Sequence, residues 1–109
     1  MFKYFKAKSS RNRAAKTAKA MLDGSMDYLE GSQVLSTIRY DVGLEDRDPD
    51  FEVFVLIDSE TDSLPIGHAR QYWNKEALEK LQPEYDSSIE WAKRMSQENC
   101  KSIVRRFGA

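Results

Sequence analysis

One run of β-branched and apolar residues, Val53-Phe54-Val55-Leu56-Ile57, favours a strand in this chain, because branching at Cβ suits a pleated surface better than a helix. No second run of that kind is present to pair with it. An isolated strand leaves its backbone N–H and C=O groups without partners. The residues leading into the run point the other way. Asp48 is a helix N-cap, Pro49 fits the first helical position, and Asp50 and Glu52 put acids in the first turn. Phe51, Phe54, Val55 and Asp58 then fall on one helical stripe. The reading is therefore a helix over 50–61 and an all-α fold of four to five helices. The alternative is an α+β fold with one short strand pair involving residues 51–57.

The other segments read as helices between sparse Gly and Pro breaks. The first is expected from about Arg11 to Leu22, with Ser10 as N-cap, Gly24 as stop, and a narrow face of Ala14, Ala15, Ala18, Met21 and Leu22. The second is expected from about Met26 to Tyr40 after Ser25 as N-cap. Its interior Gly31 costs about 1 kcal/mol against alanine and is best tolerated where another helix comes close. After a turn at 62–67, a short helical piece spans His68–Tyr72. Asn74 caps a helix from Lys75 to Gln82, and Pro83 ends it or opens the next. The last helix, about Glu84 to Phe107, carries Tyr85, Ile89, Ala92, Cys100, Ile103 and Phe107 on one face, widened by Trp91 and Met95.

With 109 residues, one domain is expected, able to bury a core without metal or disulfide. Residues 10–109 form that domain, preceded by a basic aromatic arm at 1–9. No apolar run approaches the roughly 20 residues a membrane span needs, and no signal peptide is recognisable. One cysteine and one histidine exclude an internal disulfide and the common structural zinc sets, and fit a reducing compartment. The expected location is cytoplasmic, with association at the membrane periphery through the arm as a variant.

Net charge is −1, but the signs are segregated. Residues 1–21 hold seven Lys or Arg and no acid, residues 22–62 hold twelve acids against two arginines, and residues 63–109 hold eight cations against six acids. Arg11 and Arg13 lie at the wrong pole of the first helix's dipole, so an anion should offset them: the chain's own acids or an external one. The arm, Met1-Phe2-Lys3-Tyr4-Phe5-Lys6-Ala7-Lys8, interleaves aromatics with lysines. Such a mix suits single-stranded nucleic acid or an anionic membrane surface. A tail docked on the domain explains it equally. Lys3, Lys6, Lys8, Arg11 and Arg13 are its anion-binding candidates.

Catalytic patterns are lacking. There is no phosphate-binding glycine loop, nucleophile elbow or zinc spacing, and no cofactor is expected. His68 reads as an exposed loop residue, and Cys100 falls on a buried helix face, so a Cys–His dyad is disfavoured. Asp58, Glu60 and Asp62 alternate with hydroxyl residues as hard-cation ligands do. The EF-hand pattern fails, because Ser63 and Ala69 stand where glycine and a bidentate glutamate belong. The plainer reading is local capping.

Glu30-Gly31 followed by Ser59-Glu60-Thr61-Asp62-Ser63-Leu64-Pro65-Ile66-Gly67, Arg70 and Trp73 resembles a pattern of small uncharacterised bacterial proteins, covering roughly residues 18–85. The resemblance implies a small helical domain and brings no activity, cofactor or catalytic residue. It marks 59–73 as a centre of the domain. There Arg70 is expected to reach back to Asp62 or Glu60 beneath Trp73.

The resulting expectation is a non-enzymatic protein acting by protein–protein contact through an acidic central surface, in the manner of an immunity protein or antitoxin. Its contact candidates are Asp46, Asp48, Asp50, Glu60, Asp62, Arg70 and Trp73. Small acidic surfaces suit basic partners, with charge setting the on-rate. The alternative is anionic membrane-surface or nucleic-acid binding through the basic arm.

Overall fold

A computed structural model describes residues 2–44 and 47–108, with side chains from Lys6 onward. Four α-helices follow in order: α1 Phe2–Asp23, α2 Tyr28–Ile38, α3 Pro49–Glu60 and α4 Lys75–Phe107, with a 3₁₀ helix, Gly67–Tyr72, between the last two. No strand is formed among the described residues, so the all-α reading holds and the 51–57 strand pair does not form. The cap resolves that ambiguity. Asp48 Oδ1 accepts from Asp50 N at 3.0 Å, Pro49 opens the helix, and Phe51, Phe54 and Ile57 turn into the core.

α4 is the spine. At 1.5 Å per residue its 33 residues run about 50 Å, matching the longest dimension of the molecule, 49 Å. α1, α2 and α3 all pack on it. α1 runs antiparallel to α4: Arg11 lies over Phe107, while Met21 meets Cys100. α3 also runs antiparallel to α4, with Asp50 opposite Asn99 and Ser102, and Asp48 opposite Arg106. Ala14 and Ala18 are fully buried and let α1 come close. On its other flank, α2 approaches α1 at Gly31, where an added Cβ would overlap the Met21 thioether. The glycine whose propensity cost was noted thus leaves the room that the Met21 side chain occupies. Each large core side chain, such as Phe54, Leu29 or Leu35, contributes about 1.5–3 kcal/mol by burial.

Three expectations are corrected. α1 does not begin near Arg11 behind a Ser10 cap; it extends back to Phe2, so residues 2–9 of the expected arm are continuous with it. Ala7, Ser10 and Arg11 continue the stripe of Ala14 and Ala18, and the loop after α2 lies against them. Arg11 Nε donates to Val42 O at 2.7 Å, and Lys6 pairs with Asp41 at 3.2 Å. Second, Ser25 does not cap α2. Gly24, at φ +86°, ends α1 in the left-handed conformation, and Ser25 in the following turn is held by the Asp23 carboxylate. Asp27 is the cap, its Oδ1 accepting from Leu29 N and Glu30 N. Third, Pro83 neither ends nor starts a helix. α4 continues through it, the ring facing solvent, while Tyr85, Ala92, Cys100 and Ile103 hold the helix on the core.

Pro83 supplies no N–H to the helix ladder and crowds the carbonyl four residues earlier. Pro83→Ala is therefore expected to stabilise the fold by about 2 kcal/mol, after allowance for the freer unfolded chain. Thermal melts should show a Tm several degrees higher; an unchanged or lower Tm would contradict this account of α4.

Candidate functional site

Several acids of the central third are engaged within the fold. Arg106 forks onto Asp48, with Nη1 and Nη2 each 3.0 Å from a carboxylate oxygen, and Nη1 also reaches Asp50 Oδ2 at 2.8 Å. Asp50 additionally accepts from Ser102 Oγ at 2.6 Å and Asn99 Nδ2 at 3.1 Å. Asp27 Oδ2 accepts from Tyr85 O–H at 2.9 Å. Glu52 faces Arg47 at 3.8 Å. Asp48 and Asp50, expected as contact residues, are partners of Arg106, each with 16% of its side chain exposed. Glu60 and Asp62 are exposed and outside every ion pair among the described residues. Asp46 lies outside the described residues.

The 59–73 centre is built differently from expectation. Arg70 does not reach Asp62 or Glu60. Its guanidinium donates to Pro65 O and Gln82 Oε1, both at 3.3 Å, and lies 4.7 Å from the centre of the Tyr85 ring. The ring face of α4 and the carbonyl of the Leu64-Pro65-Ile66 turn are nearer partners than the exposed acids. Trp73 covers no ion pair and is 40% exposed at the end of the 3₁₀ helix. No three His, Cys, Asp or Glu side chains converge to hold a metal among the described residues. Asp58 and Glu60 leave α3 on different sides. His68 is exposed, whereas Cys100 is fully buried against Met21.

The exposed face of α1 is cationic. α1 has no acid before Asp23. Lys8, Arg13, Lys16 and Lys19 are exposed on the face opposite Ala14, Ala18 and Met21, and none is in an ion pair among the described residues. Of the other arm candidates, Lys6 is paired with Asp41. Arg11 is structural, bonded to Val42 O and lying 5.6 Å from the Phe107 ring centre. The side chain of Lys3 lies outside the described ones. Lys16 and Lys19 were not among the expected anion-binding residues, which ended at Arg13. Helical spacing continued backward from Ala14 joins them to Lys8. Asn12, Ala15, Lys16 and Lys19 line, with Phe107 of α4 and Gly108 after it, an open groove of about 350 Å³.

A second recess, about 320 Å³, lies between the end of α2 and the start of α3. Arg39 and Tyr40 stack at its edge, 4.2 Å apart, over Leu44 and Phe51. Neither recess is lined by a histidine or cysteine.

Titration follows the same geometry. The Arg106 hydrogen bond holds the Asp48 carboxyl below its ordinary value of 3.8, helped by the Asp50 N–H, and the carboxylates raise Arg106 in return. Burial, then the bond to Asp27, raises Tyr85.

Comparison with known proteins gave no family model, no curated relative and no solved structure that matches this chain.

A carboxyl lowered by folding adds stability above its unfolded pKa and loses that contribution as pH falls through the folded value. Arg106→Gln is expected to cost about 1–2 kcal/mol at pH 7, the partly exposed pair being screened. The deficit against wild type should shrink below about pH 4 as Asp48 protonates. Urea unfolding at pH 7, 4 and 2.5 measures it; a deficit independent of pH would exclude the charge-assisted clasp.

Proposed function

We propose that this chain is a non-catalytic binding protein that docks a polyanion on the exposed cationic face of α1. The observation that carries the reading is the disposition of charge. The chain is net negative, yet Asp41, Asp48, Asp50 and Glu52 are engaged by Lys6, Arg106 and Arg47, while Lys8, Arg13, Lys16 and Lys19 are not engaged by acids of the described residues. α1 carries no acid before Asp23, so these four cations leave a local positive field that favours an external anion. The face lies on a helix packed against both α2 and α4, so its side chains are presented on a rigid support. No helix among the described residues is long and apolar enough to cross a membrane.

A second reading keeps the protein-contact role, through Glu60 and Asp62, because both are exposed and outside those ion pairs. Immobilised heparin and immobilised polylysine separate the two. The proposed function expects wild type to be retained on heparin at low salt and released by moderate NaCl. Lys8→Gln, Arg13→Gln, Lys16→Gln and Lys19→Gln together should abolish retention with the circular dichroism unchanged, whereas Glu60→Gln with Asp62→Asn should not weaken it. Failure of wild type to bind heparin, with retention on polylysine that the acidic variant loses, would replace it with the second reading.

A further inference from the structure

Resting on that reading, we infer that the polyanion is single-stranded nucleic acid, its phosphates following the α1 cations and a base entering the groove between α1 and the C-terminal end of α4. Three features of the face select among polyanions. First, the cations form a track. Lys8 to Lys19 span about 16 Å of helix axis, and Lys16 and Lys19 are one turn apart, so successive ammonium groups meet successive charges of a strand.

Second, the track borders a recess. The groove of about 350 Å³ has Lys16 and Lys19 at its cationic side, Ala15, Phe107 and Gly108 as its apolar wall, and the Asn12 amide available to donate and accept. That set matches one nucleotide: phosphate to lysine, base face to the apolar wall, base edge to the amide. Phe107 is held in place by Arg11 and by Arg106, whose guanidinium lies 4.9 Å from the ring centre. In a duplex the bases are paired and stacked, so they have no means of entering a recess of this kind.

Third, the surface is not shaped for a bilayer. Lys8, Arg13, Lys16 and Lys19 are spread over about 140° of the helix circumference, so a flat anionic sheet meets only part of them at once. Among the side chains described, the large exposed hydrophobic ones, Tyr40, Leu56, Tyr72, Trp73 and Met95, all lie off α1.

Fluorescence anisotropy with a labelled oligo-dT 20-mer, a hairpin duplex of equal charge, and vesicles containing phosphatidylserine tests the inference on the full chain. Single-stranded DNA should bind more tightly than the duplex, and more tightly than vesicles at equal anionic charge. With four phosphates neutralised, affinity should fall about fiftyfold between 50 and 200 mM NaCl. Lys16→Gln with Lys19→Gln should roughly halve the slope of log affinity against log salt. Asn12→Leu is charge-neutral and helix-compatible and fills the groove; it should weaken single-strand binding about tenfold and leave heparin retention unchanged. Equal binding of single strand and duplex, preference for vesicles, or single-strand binding indifferent to Asn12→Leu would overturn the inference while heparin retention stood. Loss of heparin retention by wild type would remove the polyanion reading itself.

Discussion

The fork of Arg106 closes the C-terminal end of α4 over the N-terminal end of α3, and much of the molecule's electrostatic character follows from it. Each partner stands at the helix pole that favours it: acids at the start of α3, a guanidinium at the end of α4. Asp48 serves twice, capping α3 through Asp50 N and receiving Arg106. Asp50 is held by Arg106, Ser102 and Asn99 together. Carboxylates so occupied do not serve the α1 cations, and Lys8, Arg13, Lys16 and Lys19 stand in no ion pair among the described residues.

Small residues place that face. Buried Ala14 and Ala18 bring α1 close to its neighbours, and Gly31 opens the space that Met21 fills. The side of α1 turned away from this packing is the side that carries Lys8, Lys16 and Lys19. Burial of the small-residue stripe and exposure of the cations are one event, fixed by the 3.6-residue period. The Phe107 ring joins this arrangement to the clasp, since Arg11 of α1 and Arg106 both lie against it.

Most of the helical architecture was legible in the sequence, because local chemistry and tertiary packing agree there. Asp48-Pro49 starts α3, Asn74 caps α4 through Ala77 N, and Gly24 ends α1. The missing strand partner decided the fold class against the β-branched run. Errors arose where several residues of similar chemistry compete. Ser10 and Ser25 are plausible caps by type, but Ser10 lies inside a longer helix, and Asp27 is better placed than Ser25 to reach the first N–H groups of α2. Pro83 is a breaker by local rule, overridden because the helix on both sides of it is anchored. The charged site was harder. Which acids are free depends on contacts across about 50 positions, such as Asp50 with Ser102 and Asp48 with Arg106. No local pattern reports such pairings. Arg70 shows the same limit: the turn was recognisable, but the choice of Tyr85 and Gln82 over nearby acids belongs to the packed state.

The burial of Cys100 gives the molecule an internal clock. Its sulfur is fully enclosed beside Met21, and burial pushes the thiol up to about 12, so the reactive thiolate is essentially absent while the helices stay together. Because it is the chain's one cysteine, alkylating reagents meet a target only in molecules whose α1–α4 seam has parted. The labelling rate of an unaltered sample therefore reads how often that seam breathes, with no probe introduced.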